Sequence, residues 1–227
     1  MTILTKKQSQ TIIYPDSDGN RTADNTEQFK WIVLIKEGLE ALFSKNPDVF
    51  VAGDLLWYPE EGKPHIRKAP DVFVVFGRPK GYRGSYKQWE EDNIPPQVVF
   101  EINSPCNSHA EMLQKLIFYQ NYGVQEYYFY DSDKNQLLVW IREGEHFKEI
   151  ENPNEWQSPL LGIRFLLDEN TLHIYKPTGE RFASYTEITE ELEETREKLE
   201  KLAKEKELLT QKLRELGYNP DEIIGGT

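Results

Sequence analysis

The stretch that decides the fold is QVVFEINSPCNSHAEMLQKLIFYQNYGVQEYYFYD, residues 97–131. Its two ends, QVVFEI and EYYFYD, are short runs rich in Val, Phe and Tyr, the composition of buried strands. Between them Ser108 to Tyr122 has helical spacing and stops at Gly123, a residue suited to closing a helix in a left-handed turn. Antiparallel neighbours can be joined by a tight turn, whereas a helical crossover of this length favours a parallel pair. Upstream, DVFVAGDLLWYP and APDVFVVFG read as two further strands. Downstream, NQLLVWIREG and HFKEI form a hairpin, and residues 157–176 add short strands. A helix is expected over about 27–44, capped by Asn25 or Thr26, with Phe29, Ile32, Ile35, Leu39, Leu42 and Phe43 on one face. The fold class is therefore α/β, a mixed central sheet flanked by helices. Residues 77–96, GRPKGYRGSYKQWEEDNIPP, make a long polar connection, and loops of that length tend to carry function.

Around this domain, expected over residues 25–184, the chain changes character. Residues 1–24 are polar and turn-rich (Pro15, Asp16, Asp18, Gly19) and read as a flexible arm. Over residues 185–217, Ile188, Leu192, Thr195, Leu199, Leu202, Lys206, Leu209, Leu213 and Leu216 alternate steps of four and three. That is a coiled-coil seam of about four heptads. Glu191, Lys198, Glu205 and Lys212 stand at its g positions, so the expected partner is a second copy, a homodimer through 188–216. A single amphipathic helix lying on the domain is the competing reading. Residues 218–227 are a short tail.

The 227 residues include one cysteine, Cys106, so no intrachain disulfide can form. No apolar run approaches the roughly 18–20 residues that span a bilayer, and MTILTKKQSQ lacks the apolar core of a signal peptide. The expectation is a protein of the cytoplasm with no membrane partner. A net charge of −12 argues at first against nucleic acid. The distribution argues otherwise: from Lys63 to Gln88 seven basic residues face one acid, Asp71. Arg78, Lys80 and Arg83 in this segment are candidate phosphate contacts, with a solvated loop as the alternative.

Acidic residues in strands are informative, because strand interiors disfavour them. Asp71 follows Pro70 and opens an apolar strand; Glu101 sits near the end of QVVFEI, expected near the sheet rim. Alternation puts Val99, Glu101 and Asn103 on one face and Val98, Phe100 and Ile102 on the other. Two carboxylates on neighbouring strands repel unless a cation intervenes, and Mg²⁺ favours one or two carboxylates plus water and substrate phosphate. The next helix supplies a lysine. Glu111, Lys115 and Tyr119 share a face, and Lys115 lies about 10 Å along it at ~1.5 Å per residue, within reach of the strand end. Such a set hydrolyses phosphodiesters: the metal polarises the phosphate and the lysine positions the attacking water or stabilises developing charge. Each residue has a structural reading too. Asp71 can cap a turn, Glu101 can pair with a structural lysine, and Lys115 can face solvent. Glycine-rich phosphate loops, Cys-x-x-Cys and His-x-x-x-His zinc pairs are missing from the sequence. His65, His109, His146 and His173 are scattered, and Cys106 has no evident histidine partner.

APDVFVVFG, VVFEINSP, EMLQKLIFYQNYGVQEYYFYD and the hairpin after them resemble the Uma-two family of restriction endonucleases, within the PD-(D/E)XK nuclease superfamily, over residues 27–176. The resemblance implies a restriction-endonuclease-like fold with Asp71 and Glu101 as metal ligands, and a Mg²⁺-dependent endonuclease acting on DNA, with Mn²⁺ as a substitute. In the wider superfamily a lysine stands two residues after the acid; that position here is Asn103. In the family the lysine has moved to the next helix, four residues before a tyrosine, which Lys115 and Tyr119 match. Glu111 replaces the family's aspartate, Cys106 the last serine of Ser-Pro-Ser, and Tyr128 a tryptophan. The competing function is a catalytically silent nucleic-acid- or protein-binding module that oligomerises through its coiled coil.

Overall fold

Asn25 starts the first helix: its side chain accepts a hydrogen bond from Gln28 N at 2.8 Å, capping α1 (Thr26–Leu42). The computed structural model describes residues 12–17, 19, 23, 25–104 and 108–219. Cys106, most of the expected arm and the end of the tail lie outside the described residues. The inner face of α1 is Gln28, Trp31, Ile32, Ile35 and Leu39. This corrects the expected face, since Phe29 is half exposed. Ile32, Ile35 and Leu39 suit either arc; Trp31, edge-on to Tyr130 at 4.7 Å, decides between them. Gly38 lies on the same helix where Phe182 packs, and a Cβ there would run into the Phe182 ring.

After α1 come β1 (Val49–Gly53), β2 (Trp57–Tyr58), β3 (Val72–Phe76), β4 (Tyr86–Lys87), β5 (Val98–Ile102) and α2 (His109–Asn121). Then follow β6 (Glu126–Asp131), β7 (Gln136–Glu143), β8 (His146–Glu149), β9 (Arg164–Leu167), β10 (Leu172–Tyr175) and α3 (Tyr185–Glu215). Six strands form one sheet in the order β1-β3-β5-β6-β7-β8. β5 and β6 are parallel, with Glu101 opposite Phe129; the other neighbours are antiparallel. The sheet is mixed because α2 carries the chain from β5 to β6. Alternation along β5 holds: Val98, Phe100 and Ile102 join α1 in one core, and Val99 joins Tyr119 of α2 in the other.

Two segments differ from expectation. DVFVAGDLLWYP is broken at Asp54, whose φ of 47° ends β1, and β2 leaves the sheet to pair in parallel with β4. The 77–96 connection holds β4 and a 3₁₀ turn at Gln88–Glu90. It also anchors part of the N-terminal arm. Tyr14 packs between Tyr58 and Trp89 at 5.3 and 4.9 Å, and the Tyr58 hydroxyl donates to Pro15 O at 2.6 Å. Tyr14 and Pro15, within the expected arm, thus contact the domain.

The chain divides into two units, 1–182 and 183–227. The second is built on α3, a 31-residue helix. Ser184 caps it in a reciprocal pair with Glu187, Lys212 and Arg214 complement its C-terminal dipole, and Gly217 closes it at φ 84°. Ile188, Leu192, Leu199, Leu202, Leu209 and Leu216 on this helix are exposed. Among the described residues no helix is long and apolar enough to cross a membrane.

Candidate active site

β3 and β5 run antiparallel with Val72 opposite Phe100. One further step in that register sets Asp71 across from Glu101, on one face of the sheet. The Asp71 carboxylate is fixed there by Ile102 N, which donates to Oδ2 at 2.6 Å. Gln28 of α1 donates to Ile102 O at 3.2 Å and supports the Asp71 side chain as well. Both acids are buried, Asp71 at 7% and Glu101 at 2% exposure, so Glu101 is not at an open rim. Burial pushes the Asp71 carboxyl well above the usual carboxylate range, and the neighbouring Glu101 charge adds to the shift.

α2 completes the group. Ser108 caps the helix in a reciprocal pair with Glu111, which fixes the rotation of the face carrying residues 111, 115 and 119. Lys115 Nζ is 2.6 Å from Glu101 Oε2, and the Tyr119 hydroxyl donates to Glu101 Oε1. Burial by itself would depress the Lys115 ammonium, but the Glu101 and Asp71 charges outweigh it and leave its pKa raised. Lys115 thus stays a cation. It is also the outermost member, 26% exposed against 2% for its Glu101 partner. A notch of about 10 Å³, room for about one water, opens beside it between Glu101, Glu111, Met112, Lys115 and Phe129.

Asp71, Glu101 and Lys115 are thus brought together. Glu111 turns back to the Ser108 backbone instead, and Asn103 donates to Asp131 Oδ2 at 2.8 Å, away from the acid pair. Sequence reasoning missed Gln28, whose signal was its place three and four residues before Trp31 and Ile32. It also missed Tyr127, whose ring lies 5.1 Å from Tyr119. The Tyr127 hydroxyl is buried with no hydrogen-bond partner among the described residues.

The basic segment is placed differently. Arg78 pairs with Glu91 at 2.8 Å and with Asp92. Arg83 pairs with the same Glu91 at 2.6 Å and lies over the Phe50 ring at 4.0 Å. Lys80 reaches Glu40 of α1 at 2.7 Å. These three cations are tied to carboxylates and to the fold, not to the acid pair.

The two carboxylates are hard oxygen donors, and among the described residues no group of three or more His, Cys, Asp or Glu is arranged to hold a metal. Two carboxylates are the hard-oxygen chemistry that Mg²⁺ takes and do not make a closed zinc or calcium cage.

A crystal structure of "a putative nuclease belonging to DUF820" from Anabaena variabilis ATCC 29413 aligns at 13% identity and TM-score 0.45. The alignment covers 60% of this chain and 72% of that one, a likeness too distant to add to the argument. No curated protein matches the chain. The profile of the Uma2 family, described as "Putative restriction endonuclease", matches residues 25–195. That span takes in β3, β5, α2 and all three residues of the acid–acid–lysine group, and the chain belongs to this family.

Proposed function

We propose that this protein is a Mg²⁺-dependent endonuclease that hydrolyses phosphodiester bonds of DNA. The observation that carries the reading is the buried pair of facing carboxylates with one lysine, Lys115 Nζ, at 2.6 Å from Glu101. Two acids against one cation leave a negative centre in a low-dielectric place, which a proton on Asp71, whose pKa burial raises, or a bound cation relieves. The family's description names the reaction class. A bound Mg²⁺ supplies Lewis-acid polarisation of the scissile phosphate and charge neutralisation in the transition state. Asp71 and Glu101 would hold it. Ile102 N and Gln28 orient Asp71; Tyr119 fixes the Glu101 rotamer from the protein side. Lys115, outermost and held charged, donates toward an incoming phosphate oxygen or orients the attacking water.

A second reading, a catalytically silent binding module, is favoured by the completeness of the Glu101 contacts: both oxygens already have a protein partner. Cleavage decides between them. Plasmid and single-stranded DNA are incubated with the protein in Mg²⁺, Mn²⁺ or EDTA, beside Glu101→Gln. Metal-dependent cutting that the variant lacks supports the nuclease; no cutting by the wild type under any condition supports the silent module. The exposed apolar stripe of α3 supports a homodimer through 188–216 in either case.

A further inference from the structure

The apolar stripe of α3 runs the whole length of the helix. Tyr185 stands three residues before Ile188 and is 84% exposed, so the stripe extends from Tyr185 to Leu216. Thr195 and Lys206 interrupt it, the first ten residues after Tyr185 and the second ten before Leu216. Charge along the helix is lopsided. Residues 185–200 carry seven acidic and two basic side chains, residues 201–216 three acidic and five basic. Beside the stripe the g positions alternate in sign, Glu191, Lys198, Glu205, Lys212, and all four are exposed. Lys198 reaches Glu194 one turn back at 3.3 Å, but both side chains are about 70% exposed, and such a pair is readily exchanged for another.

A parallel pair in register sets each seam position against itself. It lays acidic half on acidic half and puts Lys206 against the partner's Lys206. Of its g-to-e contacts, only Glu191 with the partner's Arg196 joins opposite charges. An antiparallel pair with its twofold axis between Glu200 and Lys201 reverses each of these. The acidic half of each helix lies on the more basic half of the other. Leu199 meets the partner's Leu202, and Tyr185 meets the partner's Leu216. Thr195 meets the partner's Lys206, so the two polar positions share a layer and the ammonium can snorkel out past a small side chain. Glu191 faces the partner's Lys212 and Lys198 faces the partner's Glu205, so every g position finds an opposite charge. A slip of one heptad either way sets lysine against lysine and glutamate against glutamate.

We propose that α3 pairs with the α3 of a second copy in antiparallel orientation, in the register centred between Glu200 and Lys201. The proposal rests on the homodimer reading and deepens it, because charge complementarity selects one orientation and one register.

The test is covalent trapping in the full chain carrying Cys106→Ser, so that the only thiol is the one introduced. Leu192→Cys and Leu209→Cys are oxidised separately, and again after mixing under reducing conditions. In the antiparallel pair the two copies of residue 192 lie about 25 Å apart along the axis at ~1.5 Å per residue, too far for a disulfide. Each variant alone should stay unlinked, and the mixture should give a disulfide-linked dimer with one chain of each kind. Variants that link to themselves overturn the orientation and keep the dimer. A dimer by light scattering whose mixture does not link overturns the register. Charge exchange gives a second readout. Glu191→Lys/Glu205→Lys and Lys198→Glu/Lys212→Glu should each raise the dimer Kd about ten-fold or more, and mixing the two should restore association. A parallel pair would leave the second variant almost untouched, so an unchanged Kd there overturns the proposal. A wild type that stays monomeric at high concentration overturns the dimer and its orientation together. None of these readouts involves cleavage, so the nuclease reading stands or falls apart from them.

Discussion

Asp71→Asn should make the metal-free protein more stable while abolishing its response to Mg²⁺. Asp71 is penalised first by burial and then by the Glu101 charge. Two carboxylates about 5 Å apart, the spacing of facing residues on neighbouring strands, repel by about 3 kcal/mol at an effective dielectric of about 20. Lys115 attracts Asp71 and offsets part of this, leaving a net of about 1–2 kcal/mol. At about 2–4 °C per kcal/mol for a domain of this size, the variant should melt roughly 2–8 °C higher. Asparagine keeps an oxygen that can accept from Ile102 N, so the change removes charge with little loss of geometry. The pH dependence has a definite sign. A carboxyl whose folded pKa is raised favours the fold fully below its unfolded pKa of about 3.9, and that contribution is lost as pH rises through the folded value. Variant and wild type should therefore coincide in acid and separate toward neutrality. Mg²⁺ reverses the order. A ligand at about 100 times its Kd stabilises by about 2.7 kcal/mol, and only the wild type should collect it. Tryptophan-fluorescence melts in EDTA and in Mg²⁺, repeated across pH, read every arm. A variant that melts below wild type in EDTA at neutral pH, or that gains as much from Mg²⁺, refutes the reasoning.

The other residues of the group give separable outcomes. Lys115→Met leaves Glu101 buried without a cation and should cost about 3–5 kcal/mol, seen as a lower melting temperature in EDTA together with loss of cleavage. Tyr119→Phe removes one hydrogen bond to a buried carboxylate and should cost about 1–3 kcal/mol, measured by denaturant unfolding, with cleavage lowered rather than abolished. In α3, Leu199→Glu/Leu202→Glu puts like charges at adjacent seam positions; light scattering should show the mass falling from dimer to monomer, and an unchanged mass removes the coiled coil as the interface.

The parts of this molecule legible in sequence were those set by local pattern. The β5–α2–β6 segment carries its own strand composition, cap, helical period and stop at Gly123, and it folded as that pattern dictates. Lys115 was legible because i, i+4 geometry on a helix is nearly invariant. The burial of Glu101 was not, because strand alternation names a face without saying what covers it, and here α2 lays Tyr119 and Lys115 over the acid. Gln28 was passed over because a polar residue on an apolar arc gives no sign of a partner 74 positions away at Ile102. The fate of the basic segment was the least legible. Its charge excess is real within 63–88, but Glu91 and Asp92 lie just past that window and Glu40 lies on α1. Pairing across such distances is a property of the folded chain, and it moves the unpaired charge from residues 78–83 to Arg67 and Lys68.

That redistribution bears on how an acidic protein could hold a polyanion. Around the proposed centre Asp71, Glu101 and Glu111 face Lys115 and Lys68, an excess of one negative charge when all are ionised. A phosphate approaching the metal-free group therefore meets no net attraction from its nearest residues, and the chain's −12 adds a weak long-range repulsion. A divalent cation on the acid pair would turn the local balance to plus one. On the nuclease reading binding should be ordered, cation before backbone, and Lys115 would be free to turn from Glu101 toward the phosphate once a cation neutralised the carboxylate. On that reading the ion pair between Lys115 and Glu101 would be the resting state of the centre. The coupling is reciprocal, because each ligand must favour the other by the same factor. Non-cleavable DNA should tighten the protein's affinity for Ca²⁺ as much as Ca²⁺ tightens its affinity for DNA, and Lys115→Met should weaken that coupling while leaving a measurable cation affinity at Asp71 and Glu101.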